Sequence, residues 1–305
     1  MSGLAKQLSV DGVPIVRLES DFLKVDVAPD IGGRTISLVD KRSGYEFLWR
    51  NRNLRLQPLP AGSEYDPNFY GGIDELMPND IPEKINGADC PDHGELWTTA
   101  LTYRQNGERL ILEGRLANCG LTYAREMWLG SDAPYLEFRY RISNPTAEAR
   151  DFLWKLHAAL AVEAGDLIEC PARTGQVVDL AYSRRKSAAP FGWPKVDGAA
   201  VNVVPARDGT MDFFYLFDLA AGEIAWSRPG AGLKFGYHFD RKVFPYAWIF
   251  ASYGGFLGHY TVILEPCTTM PISVNEAASK RQCSRLQPGQ SLETAVSIYA
   301  GQANV

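Results

Sequence analysis

In the stretch YLEFRYRIS, Tyr135 to Ser143, every second residue is apolar. Leu136, Phe138, Tyr140 and Ile142 share one face, and Glu137, Arg139, Arg141 and Ser143 share the other. Side chains of a strand alternate between faces, whereas those of a helix recur every 3.6 residues, so this period predicts a half-buried β-strand. The same period returns in LKVDVAP, RTISLVD, FFYLFDL, GEIAWSR, YTVILEP and ETAVSIYAG, with turn residues between them. Two hairpins are expected. One joins YAREMWL to Tyr135 through GSDAP. The other joins LTYRQ to ERLILEGRLA through Asn106-Gly107, a pair that suits a type I′ turn because both residues tolerate positive φ. The best helix candidate is DFLWKLHAALAV, Asp151 to Val162, although its alternate apolar residues Phe152, Trp154, Leu156 and Ala158 equally suit a strand.

Many antiparallel strands with few helices predict an all-β chain, and at 305 residues a large two-sheet antiparallel β-sandwich rather than a barrel. No Pro-, Gly- or Ser-rich linker divides the chain, so residues 1–305 are expected to form a single domain. With 46 % hydrophobic residues, such a chain can bury its core without disulfides or structural metals. The five cysteines are scattered and odd in number, which points to a reducing compartment. The N-terminus has no basic segment followed by an apolar one, and no apolar run approaches the roughly 18–20 residues needed to span a bilayer. A soluble, cytoplasmic protein with no membrane partner is expected. The net charge of −5 argues against nucleic acid, which is bound by clustered Lys and Arg. Two long irregular stretches, 58–96 and 172–198, are expected to be functional loops.

The chemistry-bearing residues are few. GADCPDHGELWTTA, residues 87–100, gathers Cys90, Asp92, His93, Glu95 and Trp97, in a chain with four histidines. A structural zinc site needs four ligands, commonly two close pairs, and Cys90 and His93 have no second pair to join, so no metal is expected. An ordinary polar loop is the plain alternative. His157 stands in an apolar run, where a satisfied core histidine and a proton carrier are both open readings. Glu265 closes the apolar strand YTVILEP, a costly place for a carboxylate unless it is paired or used. Arg34 follows Gly32-Gly33 and either borders a cleft or makes a surface ion pair.

In chain order, IGGRTISLVDKRSGYEFLW, YGGIDELMPND, DHGELW, LWKLHAAL and VILEPCTTMP resemble the aldose 1-epimerase (galactose mutarotase-like) family, in a divergent branch. The resemblance covers nearly the whole chain and implies the galactose mutarotase-like supersandwich with an open, sugar-sized cleft. It implies a reaction free of cofactor and metal, the interconversion of α and β anomers of a free sugar by acid/base ring opening and closure. By position it implies Glu265 as general base, His157 as general acid and His93 as the residue holding the sugar near its ring oxygen, with Arg34 as a substrate contact. The family's hydroxyl-gripping aspartate has three candidates, Asp74, Asp197 and Asp240. Trp97 would offer the sugar an apolar face or serve as plain core, and Asp92 or Glu95 would orient the imidazole. Trp193 and Trp248 suit sugar stacking, with Tyr253 a further candidate. Arg184, Arg185 and Lys186 would hold an anionic group if the substrate carried a phosphate or sulfonate, and otherwise form a solvated loop. Two other functions fit the same residues: an epimerase or isomerase of an anionic sugar, and a non-catalytic carbohydrate-binding or sensing protein on the same scaffold. The expected partner is a small-molecule sugar, and the chain is expected to be a monomer or homodimer.

Overall fold

A computed structural model of the chain describes residues 3–196 and 198–303. Two large antiparallel sheets of eleven and eight strands carry the fold, with three two-stranded ribbons beside them among the described residues. The all-β sandwich expected from the period of two is the observed architecture. Tyr135–Ser143 pairs with Thr122–Leu129 on one side and Ser291–Gln302 on the other, in the smaller sheet. Its apolar set lies in the core between the sheets, beside Leu156, Ala158, Leu160, Val262 and Leu264 of the larger sheet.

A polar cluster crosses that apolar interior. Glu75, on the larger sheet's strand Ile73–Leu76, accepts hydrogen bonds from Arg125 Nη1 (2.7 Å), Tyr123 Oη (2.8 Å), Tyr140 Oη (3.0 Å) and Trp154 Nε1 (3.1 Å). Arg125, Tyr123 and Tyr140 belong to the smaller sheet, so one buried carboxylate with four donors ties the two sheets together.

The structure departs from the sequence expectations in four places. Asp151 to Val162 is not a helix: it lies in the strands Arg150–Phe152 and Lys155–Leu160, and all six residues of the second are buried. A run covered on both faces loses its period, and composition alone then leaves helix and strand open. The second hairpin closes with Asn106 opposite Arg109, and of Asn106 and Gly107 only Gly107 has positive φ. That is the type II′ pattern, with glycine first in the loop, rather than type I′. The one α-helix among the described residues, Val274–Lys280, was not expected. Its signal was Ser273-x-x-Glu276, in which the Ser273 side chain accepts from Glu276 N, with a Glu276–Lys280 ion pair (2.6 Å) one turn on. Finally, neither 58–96 nor 172–198 is wholly loop, since Ile73–Leu76 and Thr174–Val177 lie within the larger sheet.

Among the described residues, no helix is long and apolar enough to cross a membrane.

Candidate active site

Five strands stand side by side in the larger sheet: Ile73–Leu76, Lys155–Leu160, Tyr260–Cys267, Tyr246–Tyr253 and Thr210–Phe217. In Lys155–Leu160, alternation sends Leu156, Ala158 and Leu160 into the inter-sheet core and leaves Lys155, His157 and Ala159 on the opposite face. In Tyr260–Cys267, Val262 and Leu264 point inward, while Ile263 and Glu265 share the outer face. There, Lys155, His157 and Glu265 border a cavity of about 240 Å³. Phe69, Phe213, Phe250 and Ile263 supply apolar wall, and Ile81 and Tyr182 stand partly exposed beside it. Pockets for drug-sized ligands run from roughly 300 to 1,000 Å³, so this one suits a ligand of about one ring.

His93 reaches the same cavity from a loop. Its backbone has positive φ (56°), and its amide donates to the Asp80 carbonyl (2.7 Å). The imidazole is held on three sides. Nδ1 lies 2.8 Å from Asp92 Oδ1, Nε2 lies 3.5 Å from Asp80 Oδ1, and the ring stacks on Tyr65 at a centroid distance of 4.2 Å. Asp92 therefore orients the ring. Glu95 instead accepts from the Asn118 and Cys119 amides and holds the loop's far end.

His157 and Glu265 face one another, with Nε2 3.7 Å from Oε1. Behind His157 runs a chain of polar contacts: Tyr65 Oη lies 3.3 Å from Nδ1 and donates to Asp74 Oδ2 (2.8 Å), and Arg34 Nε donates to Asp74 Oδ1 (2.5 Å). Glu265 Oε2 lies 2.8 Å from Lys155 Nζ, which also touches Asp80 Oδ1 (3.1 Å). The Lys155–Glu265 contact is a close, buried ion pair.

Burial dominates the proton affinities. It raises the Glu265 carboxyl above its ordinary value, and Lys155 offsets this only in part. It drives the His157 imidazole well below its ordinary value, helped by the positive charges of Lys155, His93 and Arg34. The two affinities therefore approach each other. At His93 burial acts downward, but Asp80 and Asp92 outweigh it and the imidazole is raised. At Lys155 burial likewise acts downward and is outweighed by Asp80 and Glu265, so the amine is held as a cation.

Of the residues singled out in the sequence, Glu265, His157 and His93 converge on the cavity. The six expected sugar contacts do not line it. Arg34 and Asp74 are buried behind it as an ion pair that reaches the cavity only through Tyr65. Trp97 is core: it packs edge-on against Tyr65 (5.0 Å) beneath the His93 loop. Trp248 is fully buried, its ring 4.7 Å from Lys155 Nζ and its Nε1 donating to the Thr269 carbonyl. Trp193 packs against the inter-sheet core and donates to the Cys170 carbonyl. Arg184 is engaged by Asp212 (2.5 Å) and lies over Tyr253, itself buried, while Lys186 Nζ donates to the Leu180 carbonyl (2.6 Å). Asp240 is an exposed turn residue that accepts from the Lys242 amide, and Asp197 lies outside the described residues.

Lys155, Asp80 and Tyr65 were missed. Lys155 and Asp80 stand inside the quoted motifs LWKLHAAL and YGGIDELMPND, and the signal was a lysine two residues from His157 in an otherwise apolar strand. Tyr65 carried no signal, because a tyrosine in a long loop reads as ordinary surface.

Known proteins share this fold. Residues 3–174 match a family described as a domain of unknown function (DUF5107). Among solved structures, a galactose mutarotase-like protein from Clostridium acetobutylicum superposes with a TM-score of 0.75 at 14 % identity, over 99 % of both chains. A protein from Synechocystis sp. PCC 6803 gives 0.74 at 16 % identity, over 98 % of this chain and 100 % of its own. A candidate aldose 1-epimerase from Klebsiella pneumoniae gives 0.73 at 14 % identity, over 96 % of this chain and 80 % of its own. At these identities the likeness is one of fold: the galactose mutarotase-like sandwich, in a divergent branch.

Proposed function

The chain belongs to the DUF5107 family and is built on a galactose mutarotase-like sandwich, and from that premise we propose that it is a cytoplasmic sugar mutarotase that interconverts the α and β anomers of a free, uncharged aldose. The observation that carries this reading is the Glu265–His157 pair, 3.7 Å apart at a cavity the size of one ring. Mutarotation needs a base for the anomeric hydroxyl proton and an acid for the ring oxygen. The ring opens to an aldehyde, the C1–C2 bond rotates, and closure on the other face needs the two roles exchanged. Burial raises the carboxyl and lowers the imidazole, so their proton affinities are shifted toward one another. With one proton between them, they are always one acid and one base. On this reading Glu265 takes the hydroxyl proton and His157 protonates the ring oxygen, while His93, fixed by Asp92 and Tyr65, holds the sugar's polar edge.

An uncharged substrate follows from the charges. Lys155 is the permanent cation at the cavity, His93 becomes one when protonated, and each already touches carboxylates. Arg184 and Lys186 are engaged elsewhere, and Asp66, Asp92 and Asp179 add negative charge to the border. A phosphate or sulfonate would meet repulsion from these carboxylates, and among the described residues no cation that lines the cavity is without a carboxylate beside it.

Saturation-transfer NMR between α and β signals, across neutral, phosphorylated and acidic sugars, tests the proposal. Wild type should accelerate exchange of a neutral aldose, and Glu265→Gln should abolish it with an unchanged circular dichroism spectrum. Full exchange in that variant would remove Glu265 from its role. Binding without exchange would establish a carbohydrate-sensing protein, and preference for a phosphorylated or acidic sugar would overturn the charge argument.

A further inference from the structure

Lys155 is unusual for its surroundings. It is 2 % exposed in a strand whose other five residues are also buried, and its ammonium lies between Asp80 and Glu265. A buried lysine persists as a cation only where carboxylates compensate it. Two do so here, and the Trp248 ring backs it at 4.7 Å. An amine held this firmly as a cation has no lone pair to attack a sugar carbonyl, so its role is electrostatic.

We propose that Lys155 is a positioning residue for the Glu265–His157 pair: lodged between Asp80 and Glu265, its ammonium holds the carboxyl in place and sets the pH range in which the pair carries one proton. This rests on the mutarotase reading of that pair. The groups facing Glu265 are Lys155 and His157 from the adjacent strand, Asp80 and His93 from the loops, Tyr65 and Tyr237 from further off, and Cys267 on its own strand. Among the described residues Lys155 is the one permanent cation in contact with it. Its charge opposes a proton on either member of the pair and so keeps the carboxyl ionised to lower pH. Asp80 acts in the opposite sense on the same carboxyl.

The test compares wild type, Lys155→Met, Lys155→Arg and Asp80→Asn by two measurements. The first is the pH profile of anomeric exchange with a neutral aldose. The second is a carboxyl carbon-13 NMR titration of protein labelled at glutamate, with the Glu265 signal assigned by its absence in Glu265→Gln. Removing an opposite charge at this distance moves a carboxyl upward by about 1–3 pH units. In Lys155→Met, both limbs of the profile and the Glu265 titration should move up by that amount. Lys155→Arg should restore the wild-type position, and Asp80→Asn should move both readouts down. Lower activity in Lys155→Met with an unmoved profile and an unmoved Glu265 signal would reduce Lys155 to a packing residue and overturn the proposal. If Lys155→Met does not fold, Lys155→Gln, which keeps a polar end in place of the ammonium, decides by the same upward shift. If wild type shows no anomeric exchange, the mutarotase reading fails, and the carbon-13 titration still decides the role of Lys155.

Discussion

The hydroxyl of Tyr65 touches Asp74 Oδ2 and His157 Nδ1 and has one proton to give. When it donates to Asp74, its oxygen accepts from Nδ1–H and leaves the His157 Nε2 lone pair facing Glu265. When it donates to Nδ1, the imidazole proton sits on Nε2 instead. Tyr65 thus governs the tautomer of the ring that must exchange roles with Glu265, and its own proton is secure because burial pushes the phenol well above its ordinary value. Tyr65→Phe keeps the ring that stacks on His93 and removes only this control. It should slow anomeric exchange by about 10- to 100-fold, the range found when the group that orients a metal-bound imidazole is removed. The stability cost should be about 1 kcal/mol for the lost hydrogen bonds. NMR exchange rates and urea denaturation check the two halves separately, and an unchanged rate would show that the tautomer is set elsewhere. Glu265, His157 and His93 stood out in the sequence because a charge or imidazole in an apolar or crowded setting is conspicuous. Lys155 does not stand out although its setting is the same, and Arg34 reads as a substrate contact because its partner Asp74 lies 40 residues away, a pairing no local pattern reveals.

The strands that carry the site are the part of the fold whose pattern is hardest to read. In Ile73–Leu76, the adjacent charges Asp74 and Glu75 are both buried and point to opposite faces, one toward Tyr65 and His157, the other toward Arg125 in the second sheet. A half-exposed strand such as Tyr135–Ser143 announces its period, whereas one with chemistry on one face and core on the other looks featureless. The loop carrying His93 is placed by backbone instead. Glu95 N donates to the Met77 carbonyl (2.8 Å), and Gly94, at φ 75°, lies so close that an added Cβ would run into that same carbonyl. Gly94→Ala therefore combines left-handed strain with a backbone clash. It should destabilise the protein by more than about 1 kcal/mol and push His93 off its position against Tyr65. Urea denaturation should show the first effect. A raised KM for the sugar in anomeric exchange should show the second, since His93 is assigned to holding the substrate. Wild-type KM in a destabilised Gly94→Ala would separate the loop's structural role from His93's placement.

At the scale of the whole molecule, the site depends on a sheet held against its neighbour by an apolar core crossed by the Glu75–Arg125 ion pair. Glu75 and Arg125 are each about 2 % exposed at the side chain, and Arg125 also donates to the Gly33 carbonyl, next to Arg34. The inter-sheet core could be foreseen from alternation, but this tie could not, because it joins residues 50 apart in sequence across two sheets. A buried pair gains little over an apolar substitute, yet losing one partner strands the other charge in a low-dielectric interior. Arg125→Met should accordingly cost about 3–5 kcal/mol in urea denaturation. Glu75→Gln removes the stranded charge while keeping an amide oxygen for Tyr123, Tyr140 and Trp154. The double variant should therefore be more stable than the sum of the single losses, with a coupling of about 0.5–3 kcal/mol. Because Asp74 and not Glu75 faces the site, the double variant should retain anomeric exchange below its unfolding transition. Strict additivity would mean that the Glu75–Arg125 charge pair contributes no coupling between the sheets. Loss of exchange at full stability would mean that the tie also sets the position of the strand on which Asp74 supports Tyr65 and His157.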